Sequence, residues 1–499
     1  MKTKLLILIM LLAPGAHGVM AFCGFYVAKA DATLFNQKSQ VIIVRDQNRT
    51  VITMSSDFKG DVKDFAMVVP VPEVLSRDNI RIAKSEIFDK LDAYSAPRLV
   101  EYYDANPCMQ YLKDKYEMRS AANAPMAVME AEEANGYGAY KVTVEASYTV
   151  GEYDILILSA QESGGLKAWL TDNGYKIPEN AGEMLDPYIK DGLKFFVVKV
   201  NLEAHKKQGY AELRPIQIAF SSNRFGLPIR LGMANASGDQ DLIVYAFTRK
   251  GRVEVANYRT VELPTDRNVP EFVQQKFGNF FKDLFKRSYE KEGGKAAFLE
   301  YAWDLSSKNF VKCDPCSTTP PEYTDLREAG VFWVQKNANN GWNGSDYQGD
   351  VFITRLHVRY NRKNFPQDLA FQTTPDMEHF QGRYIIQHAV KEDLSCDDAQ
   401  KYYQDVAQRR ERELRELASL TGWKPSSYAS YVDEYSRRIG DDNRWIGGDN
   451  FIDKNSLNVS AQNESGWMGW FAKAMMAVLA FVLLTTIIAG RRKEERARR

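Results

Sequence analysis

The chain has 499 residues, of which 44% are hydrophobic and 26% charged, and its 65 basic side chains balance 65 acidic ones. This composition excludes a disordered, collagen-like or polytopic membrane protein, and the length suggests about two or three structural units. With a net charge of zero, the chain has no positive electrostatic field that would attract nucleic acid. The sequence also has no basic stripe with interleaved aromatic residues. We therefore exclude nucleic acid as a partner.

The first 21 residues have the features of a secretory signal peptide. Two lysines precede a short apolar run at residues 5–12, and Val19 and Ala21 supply the small residues that a signal peptidase reads. The mature chain is expected to begin at Phe22. Because bulky Phe22 precedes Cys23, the pattern does not fit a lipoprotein signal.

Residues 467–490 form the second targeting feature, an apolar stretch interrupted only by Lys473. As a helix this stretch is about 36 Å long, enough to cross the hydrocarbon layer once. The basic residues at 491–499 predict that the tail is cytoplasmic and the N-terminal ectodomain lies outside the cytoplasm. The residues expected to anchor the helix are Trp467, Trp470, Lys473, Arg491, Arg492 and Lys493.

Residues 22–265 are predicted to form a β-rich region. Short runs of β-branched and aromatic residues predict a hairpin over 40–54 and further strands that begin at 140, 153, 195, 216, 242 and 253. Two short helices are expected over 165–172 and 182–190. A stretch rich in Ala, Met and Glu at 118–138 is typical of a mobile insert.

Residues 266–435 are predicted to contain a helix pair, a second β region and a C-terminal helix. The first helix starts after Pro270, and the second is expected over 296–305. Strands are expected over 330–334, 351–360, 369–373 and 384–390, and a capping signal at 395–398 predicts the last helix over 399–420. Residues 436–466 are polar and are interpreted as a stalk. The predicted class is therefore α+β, a mixed or antiparallel β-rich ectodomain with packed helices and one C-terminal transmembrane helix.

Five cysteines remain after the signal peptide, so disulfides are expected in an oxidising compartment and one thiol is left over. The C-x-x-C pair Cys313 and Cys316 is the candidate redox or disulfide site. Asp314 raises the pKa of a neighbouring thiol, and Pro320 prevents a long helix from starting at the second cysteine, so a structural disulfide is favoured over redox catalysis. The other candidate disulfide partners are Cys23, Cys108 and Cys396.

No motif predicts a metal, a cofactor or a catalytic residue. The histidines of the mature chain lack metal-ligand spacing and are interpreted as ordinary strand or loop residues, and the acidic clusters near Gly60 and Gly447 fit turns better than calcium loops. No nucleotide-binding glycine motif and no nucleophile elbow occurs. The four histidines are His205, His357, His379 and His388.

A set of short motifs extends along most of the ectodomain. They are Cys23-Gly24, Gly60-Asp61-Val62, Val68-Val69-Pro70-Val71-Pro72, Tyr153-Asp154, Leu166, Trp169, Leu170, Gly174-Tyr175, Cys313-Asp314-Pro315-Cys316, Thr354-Arg355-Leu356-His357 and Asp368-Leu369. In these motifs the chain resembles a bacterial family of exported proteins known only as domain of unknown function 2330. The resemblance implies a bacterial envelope protein, and since the family has no assigned reaction it implies no catalytic residue.

Together these observations predict a single-pass protein of the bacterial cell membrane whose ectodomain binds or scaffolds an envelope protein without catalysis. The alternative is an envelope thiol oxidoreductase or redox sensor that uses Cys313 and Cys316. A metal-dependent hydrolase around His357 has little support. The oligomeric state is left open.

Overall fold

The computed structural model describes residues 25–26, 39–55, 66–108, 142–173, 181–201, 203, 213–235, 238–306, 319–337 and 346–439. The chain divides into two compact units, one of residues 1–104 and 113–388 and the other of residues 105–112 and 389–499.

The described part of the first unit is mainly β-structure with five α-helices between groups of strands. Its α-helices are α1 Glu86–Ser95, α2 Ser163–Asp172, α3 Ala181–Lys190, α4 Phe277–Lys291 and α5 Tyr323–Ala329. Its strands are β1 Phe25–Tyr26, β2 Ser39–Asp46, β3 Arg49–Met54, β4 Ala66–Val71, β5 Ile80–Ile82, β6 Arg98–Tyr103, β7 Val142–Val150, β8 Tyr153–Ala160, β9 Lys194–Val200, β10 Ile216–Ser221, β11 Gly226–Leu227, β12 Gln240–Thr248, β13 Val253–Val255, β14 Arg259–Glu262, β15 Arg267–Asn268, β16 Ala296–Asp304, β17 Gln335–Lys336, β18 Tyr347–Gln348, β19 Phe352–Tyr360, β20 Leu369–Thr373, β21 Phe380–Gln381 and β22 Arg383–His388.

A nine-stranded mixed sheet dominates this unit, with the order β14-β16-β19-β12-β2-β3-β10-β5 and with β21 paired to β16. The β2–β12 and β14–β16 pairs are parallel, whereas the other pairs in this sheet are antiparallel. A second, antiparallel sheet has the order β1-β4-β9-β8-β7. The predicted α+β class with a mixed sheet is confirmed, and strands from both predicted regions, 22–265 and 266–435, meet in the large sheet.

The large sheet is buried on both faces. In β2, Val41 and Ile43 belong to an apolar core shared with the five-stranded sheet, whereas Ile42 and Val44 belong to a second core shared with α1 and α5. Successive side chains of a strand point to opposite faces, so a run of β-branched residues supplies both cores. The sheet is thus a central layer with strands on one side and helices on the other.

The expected helix over 296–305 is wrong, because these residues form β16, an interior strand of the large sheet. Eight of its nine residues are buried, and the strand lies between β14 and β19. A short continuous apolar run fits a buried helix or a doubly buried strand equally well by periodicity, and only the pairing decides.

The expected strand over 330–334 is also wrong. These residues follow the C-terminus of α5, which ends at Gly330 with a left-handed φ of 98°. Glycine adopts this conformation without steric cost and stops the helix. The chain then continues to the two-residue strand β17.

The described part of the second unit consists of two helices, α6 Ala399–Thr421 and α7 Ala429–Ser436, joined through a 3-10 turn at Pro425–Tyr428. The predicted helix over 399–420 is confirmed. The capping box expected at its start does not form, since Asp398 makes no side-chain cap and the Ala399 N–H instead donates to the Cys396 carbonyl at 3.0 Å.

Several predicted segments lie outside the described residues: the signal peptide, the insert at 118–138, residues 440–466 of the stalk, the membrane helix at 467–490 and the basic tail. Among the residues that are described, no helix is long and apolar enough to cross a bilayer.

Candidate functional site

A central strand of the large sheet carries charged residues on a buried face. In β19, Arg355, His357 and Arg359 alternate with Leu356 and Val358, which lie in the core shared by the two sheets. The three cations therefore face the helical side of the sheet. Arg355 is only 3% exposed and His357 only 8%, so both charges require partners inside the protein.

Glu300 supplies the central carboxylate of this face. The register of β16 and β19 shifts between Leu299 and Tyr301, which leaves Glu300 at a β-bulge without a partner residue across the pair. A bulge re-aims the side chain of the extra residue. Here the carboxylate, 1% exposed, accepts a hydrogen bond from Arg355 Nε at 2.6 Å and one from His357 Nδ1 at 2.8 Å.

His357 lies between two carboxylates. Its Nε2 is 3.3 Å from Asp241 Oδ1, and Asp241 also accepts two hydrogen bonds from Arg359, each of 2.8 Å. Phe285 of α4 stacks on the imidazole with 3.8 Å between ring centroids. The helix thus closes the solvent side of the ring.

Helix α1 supplies the other end of the network. Asp92 Oδ1 accepts a hydrogen bond from Arg355 Nη1 at 2.7 Å and another from the Tyr245 hydroxyl at 3.0 Å. The Arg355 guanidinium also lies 5.3 Å from the centre of the Tyr245 ring. Since the Asp92 side chain is 40% exposed, the network runs from the surface to the buried Glu300.

The charges of this network stabilise one another. Burial opposes ionisation of Glu300, but Arg355 and His357 outweigh it and hold the pKa of the carboxyl below its usual value. Burial likewise opposes the charge on His357, yet Glu300 and Asp241 raise the pKa of the imidazole. His357 and Arg359 in turn outweigh burial at Asp241 and lower its pKa.

This geometry suits packing better than proton transfer. As an imidazolium, His357 donates from both nitrogens, and within the described part of the chain both face carboxylates. Three cations balance three anions, Asp92, Asp241 and Glu300. The arrangement holds α1 and α4 on the sheet and leaves no ring nitrogen of His357 open to a substrate.

Asp368 organises a second polar cluster in the first unit. Its Oδ1 accepts hydrogen bonds from the Tyr188 hydroxyl at 2.8 Å and from the backbone N–H of Ile229 at 2.9 Å, and its Oδ2 accepts one from Arg230 at 3.0 Å. Burial and the Asp368 charge raise the pKa of Tyr188 well above its usual value. This cluster ties α3 to the start of β20, so the Asp368-Leu369 motif has a packing role.

The structure pairs two of the candidate cysteines. Cys108 and Cys396 form a disulfide with 5.6 Å between their Cα atoms, a separation ordinary for such bonds. Cys23, Cys313 and Cys316 lie outside the described residues, as do the membrane-anchor residues Trp467, Trp470, Lys473, Arg491, Arg492 and Lys493. The C-x-x-C hypothesis therefore stays a prediction.

The remaining described histidines also have protein partners. His388 lies between Glu101, at 2.7 Å from Nε2, and Glu271, at 3.1 Å from Nδ1. His379 stacks on Trp303, and burial lowers the pKa of this histidine. In the ranges that the structure describes, no group of three or more His, Cys, Asp or Glu residues has a geometry that could hold a metal ion.

Sequence reasoning missed Glu300, Asp241 and Asp92 as members of one network. One signal was present: Arg355, His357 and Arg359 recur every second residue between apolar ones, which in a buried strand requires acidic partners on the same face. The partners themselves come from distant segments and were not recognisable without the strand order.

The comparisons with known proteins give a family and no activity. A family model described as an uncharacterized protein conserved in bacteria, DUF2330, matches residues 17–372. No curated protein and no solved structure matches the chain. The match includes β1 to β19 and the charged network built on them. Because it extends over more than half of the sequence, the chain belongs to the DUF2330 family.

Proposed function

We propose that the chain is an exported, single-pass membrane protein of the bacterial envelope whose ectodomain binds or scaffolds another envelope protein without catalysis. The observation that carries the non-catalytic part is the closed charge network around His357. Both ring nitrogens and both oxygens of Glu300 are engaged inside the protein. A general base needs one nitrogen within reach of a substrate proton.

The Cys108–Cys396 disulfide supports the export part of the proposal. Disulfides persist in oxidising compartments and are rare in the bacterial cytosol. The predicted signal peptide and basic C-terminal tail supply the direction of insertion.

Membrane topology is tested with the full chain in bacterial cells, tagged at the cytoplasmic tail. We expect the protein to stay in the membrane pellet after alkaline extraction. Protease added to spheroplasts should remove the ectodomain and spare the tag. Release into the soluble fraction, or an ectodomain resistant to protease in spheroplasts but digested after lysis, would contradict export and anchoring.

Partner binding is tested by cross-linking intact cells that express either the wild type or the double variant C313S/C316S. A binding ectodomain should give the same discrete adduct in both strains, resistant to reductant. An adduct that reductant cleaves and that disappears in the double variant would favour the alternative function.

That alternative is thiol exchange by Cys313 and Cys316. The disulfide between Cys108 and Cys396 favours thiol exchange in one respect. Neither of these cysteines is available to form a disulfide with Cys313 or Cys316. Acid quenching of cells, differential alkylation and peptide mapping distinguish the two functions. Full oxidation that resists mild reductant indicates a structural bond, whereas partial reduction or mixed disulfides indicate exchange.

A further inference from the structure

The second unit contains a buried carboxylate that the proposed function does not use. Glu413 of α6 is 1% exposed. Its Oε2 accepts a hydrogen bond of 2.7 Å from the Tyr431 hydroxyl of α7, but Oε1 accepts none from any described residue. Arg409 Nε lies 3.7 Å from Oε1, which is within ion-pair range but beyond hydrogen-bond distance. One oxygen of a buried acid is therefore left with no described donor.

The neighbouring cation is directed toward other groups. Arg410 donates to the Tyr431 carbonyl and to Glu434 Oε2, both at 2.6 Å. Its guanidinium lies 4.1 Å from the ring centre of Tyr431 and 4.3 Å from that of Tyr435. Tyr431 thus contacts both Arg410 and Glu413 where α7 packs on α6.

The groups around Glu413 set its protonation. The charged or titratable neighbours are Arg409, Arg410 and Arg412 on α6 and, on α7, Tyr431 together with Glu434, which pairs with Arg410. Burial raises the pKa of Glu413 to about 7, because it outweighs the lowering by Tyr431 and the arginines.

We propose that Glu413 is a pH-sensitive latch that keeps the α6–α7 hairpin closed while its carboxyl is protonated and loosens the hairpin when the carboxyl is ionised. A neutral acid is tolerated in the buried position beside Tyr431. An ionised carboxylate has no hydrogen-bond donor at Oε1 among the described residues of the closed hairpin, and it becomes hydrated when α7 moves away.

The sign of the pH effect follows from linkage. The pKa of Glu413 is higher in the closed hairpin than the 4.5 of an exposed glutamate, so the closed form binds more protons. Closure is therefore most stable at acidic pH, weakens as the pH rises from 4.5 to about 7, and changes little above that range.

The test is hydrogen–deuterium exchange of α7 peptides in the full chain held in nanodiscs, corrected for intrinsic exchange. The opening constant of wild-type α7 should rise about 30-fold between about pH 5.5 and about pH 8.5. E413Q, a neutral isostere, should show no such rise. E411Q is the matched control: the Glu411 side chain is 41% exposed, so this variant should keep the wild-type rise.

A wild type whose α7 protection does not change with pH would overturn the latch, and so would an E413Q variant that keeps the wild-type rise. Should E413Q fail to fold, Y431F provides the second test. The Tyr431 hydrogen bond lowers the pKa of Glu413. Its removal should therefore move the midpoint of the pH-dependent rise in the opening constant to higher pH. An unchanged midpoint in Y431F would also overturn the latch.

Discussion

At the scale of single residues, Glu300 is the group on which the candidate site depends. It is the only carboxylate among the described residues that contacts both Arg355 and His357. Its position follows from the β-bulge in β16, which turns the side chain toward both cations. Loss of this one charge leaves two buried cations without their shared anion.

We expect Glu300→Gln to lower the free energy of unfolding by about 3–5 kcal/mol, because breaking a buried ion pair leaves uncompensated charge. Urea denaturation of the full chain measures the change. Glu290→Gln is the matched control, since the Glu290 side chain is 64% exposed and its one ion pair with a described residue is that with Lys286; it should cost less than about 0.5 kcal/mol. Equal effects of the two substitutions would show that the network does not stabilise the fold.

The raised pKa of His357 predicts that the free energy of unfolding depends on pH. Its pKa is raised above 6.5 in the folded chain, so its charge stabilises the fold fully below pH 6.5, and this contribution is lost as the pH rises through the raised value. The difference in unfolding free energy between wild type and His357→Gln should be largest in mildly acidic solution and should narrow in alkaline solution. Denaturation at a series of pH values measures it. A difference that stays constant or widens with pH would mean that His357 is neutral in the folded protein.

At the scale of elements, the sequence predicts where strands lie in the chain better than it predicts which strands pair in the sheet. Alternating or β-branched runs located β8, β10, β12, β19 and β20 close to their observed bounds. The run at 296–305 was assigned to the wrong element because burial on both faces removes the alternation that identifies a strand. This error also hid Glu300, since a bulge exists only relative to a partner strand.

Phe285 attaches helix α4 to the charged network. Its side chain is 2% exposed and packs on His357 and on Phe298. Phe285→Ala should destabilise the fold by about 3–5 kcal/mol, because it opens a cavity over the imidazole. Phe281→Ala on the same helix is the control and should cost clearly less, since Phe281 is only partly buried. Urea denaturation compares the two variants, and an equal loss in both would mean that α4 is not anchored through the network.

At the scale of the whole molecule, the α+β class and the mixed sheet could be predicted, because they follow from local patterns. The strand order and the residue bounds of the two compact units could not, since they depend on contacts between distant segments. Parallel pairing of β2 with β12 brings Ile243 beside Gln40, and no local pattern encodes such a pair. The same limit applies to Cys108 and Cys396, which sequence reasoning left among several alternative partners.

The disulfide allows the last prediction, because it joins positions 288 residues apart. Nonreducing peptide mapping of the full chain should recover Cys108 and Cys396 in one linked peptide. The double variant C108S/C396S should lose stability, by about 6 kcal/mol if chain entropy alone sets the effect for so long a loop. Asn106→Ala is the control. It removes the exposed 3.4 Å hydrogen bond to Glu392 that joins the same two segments and the local 2.9 Å hydrogen bond that the Cys108 N–H donates to Asn106 Oδ1, so the loss of stability should be far smaller. Recovery of Cys108 or Cys396 linked to Cys313 or Cys316 would overturn this pairing, and the C-x-x-C motif would then be a structural bond.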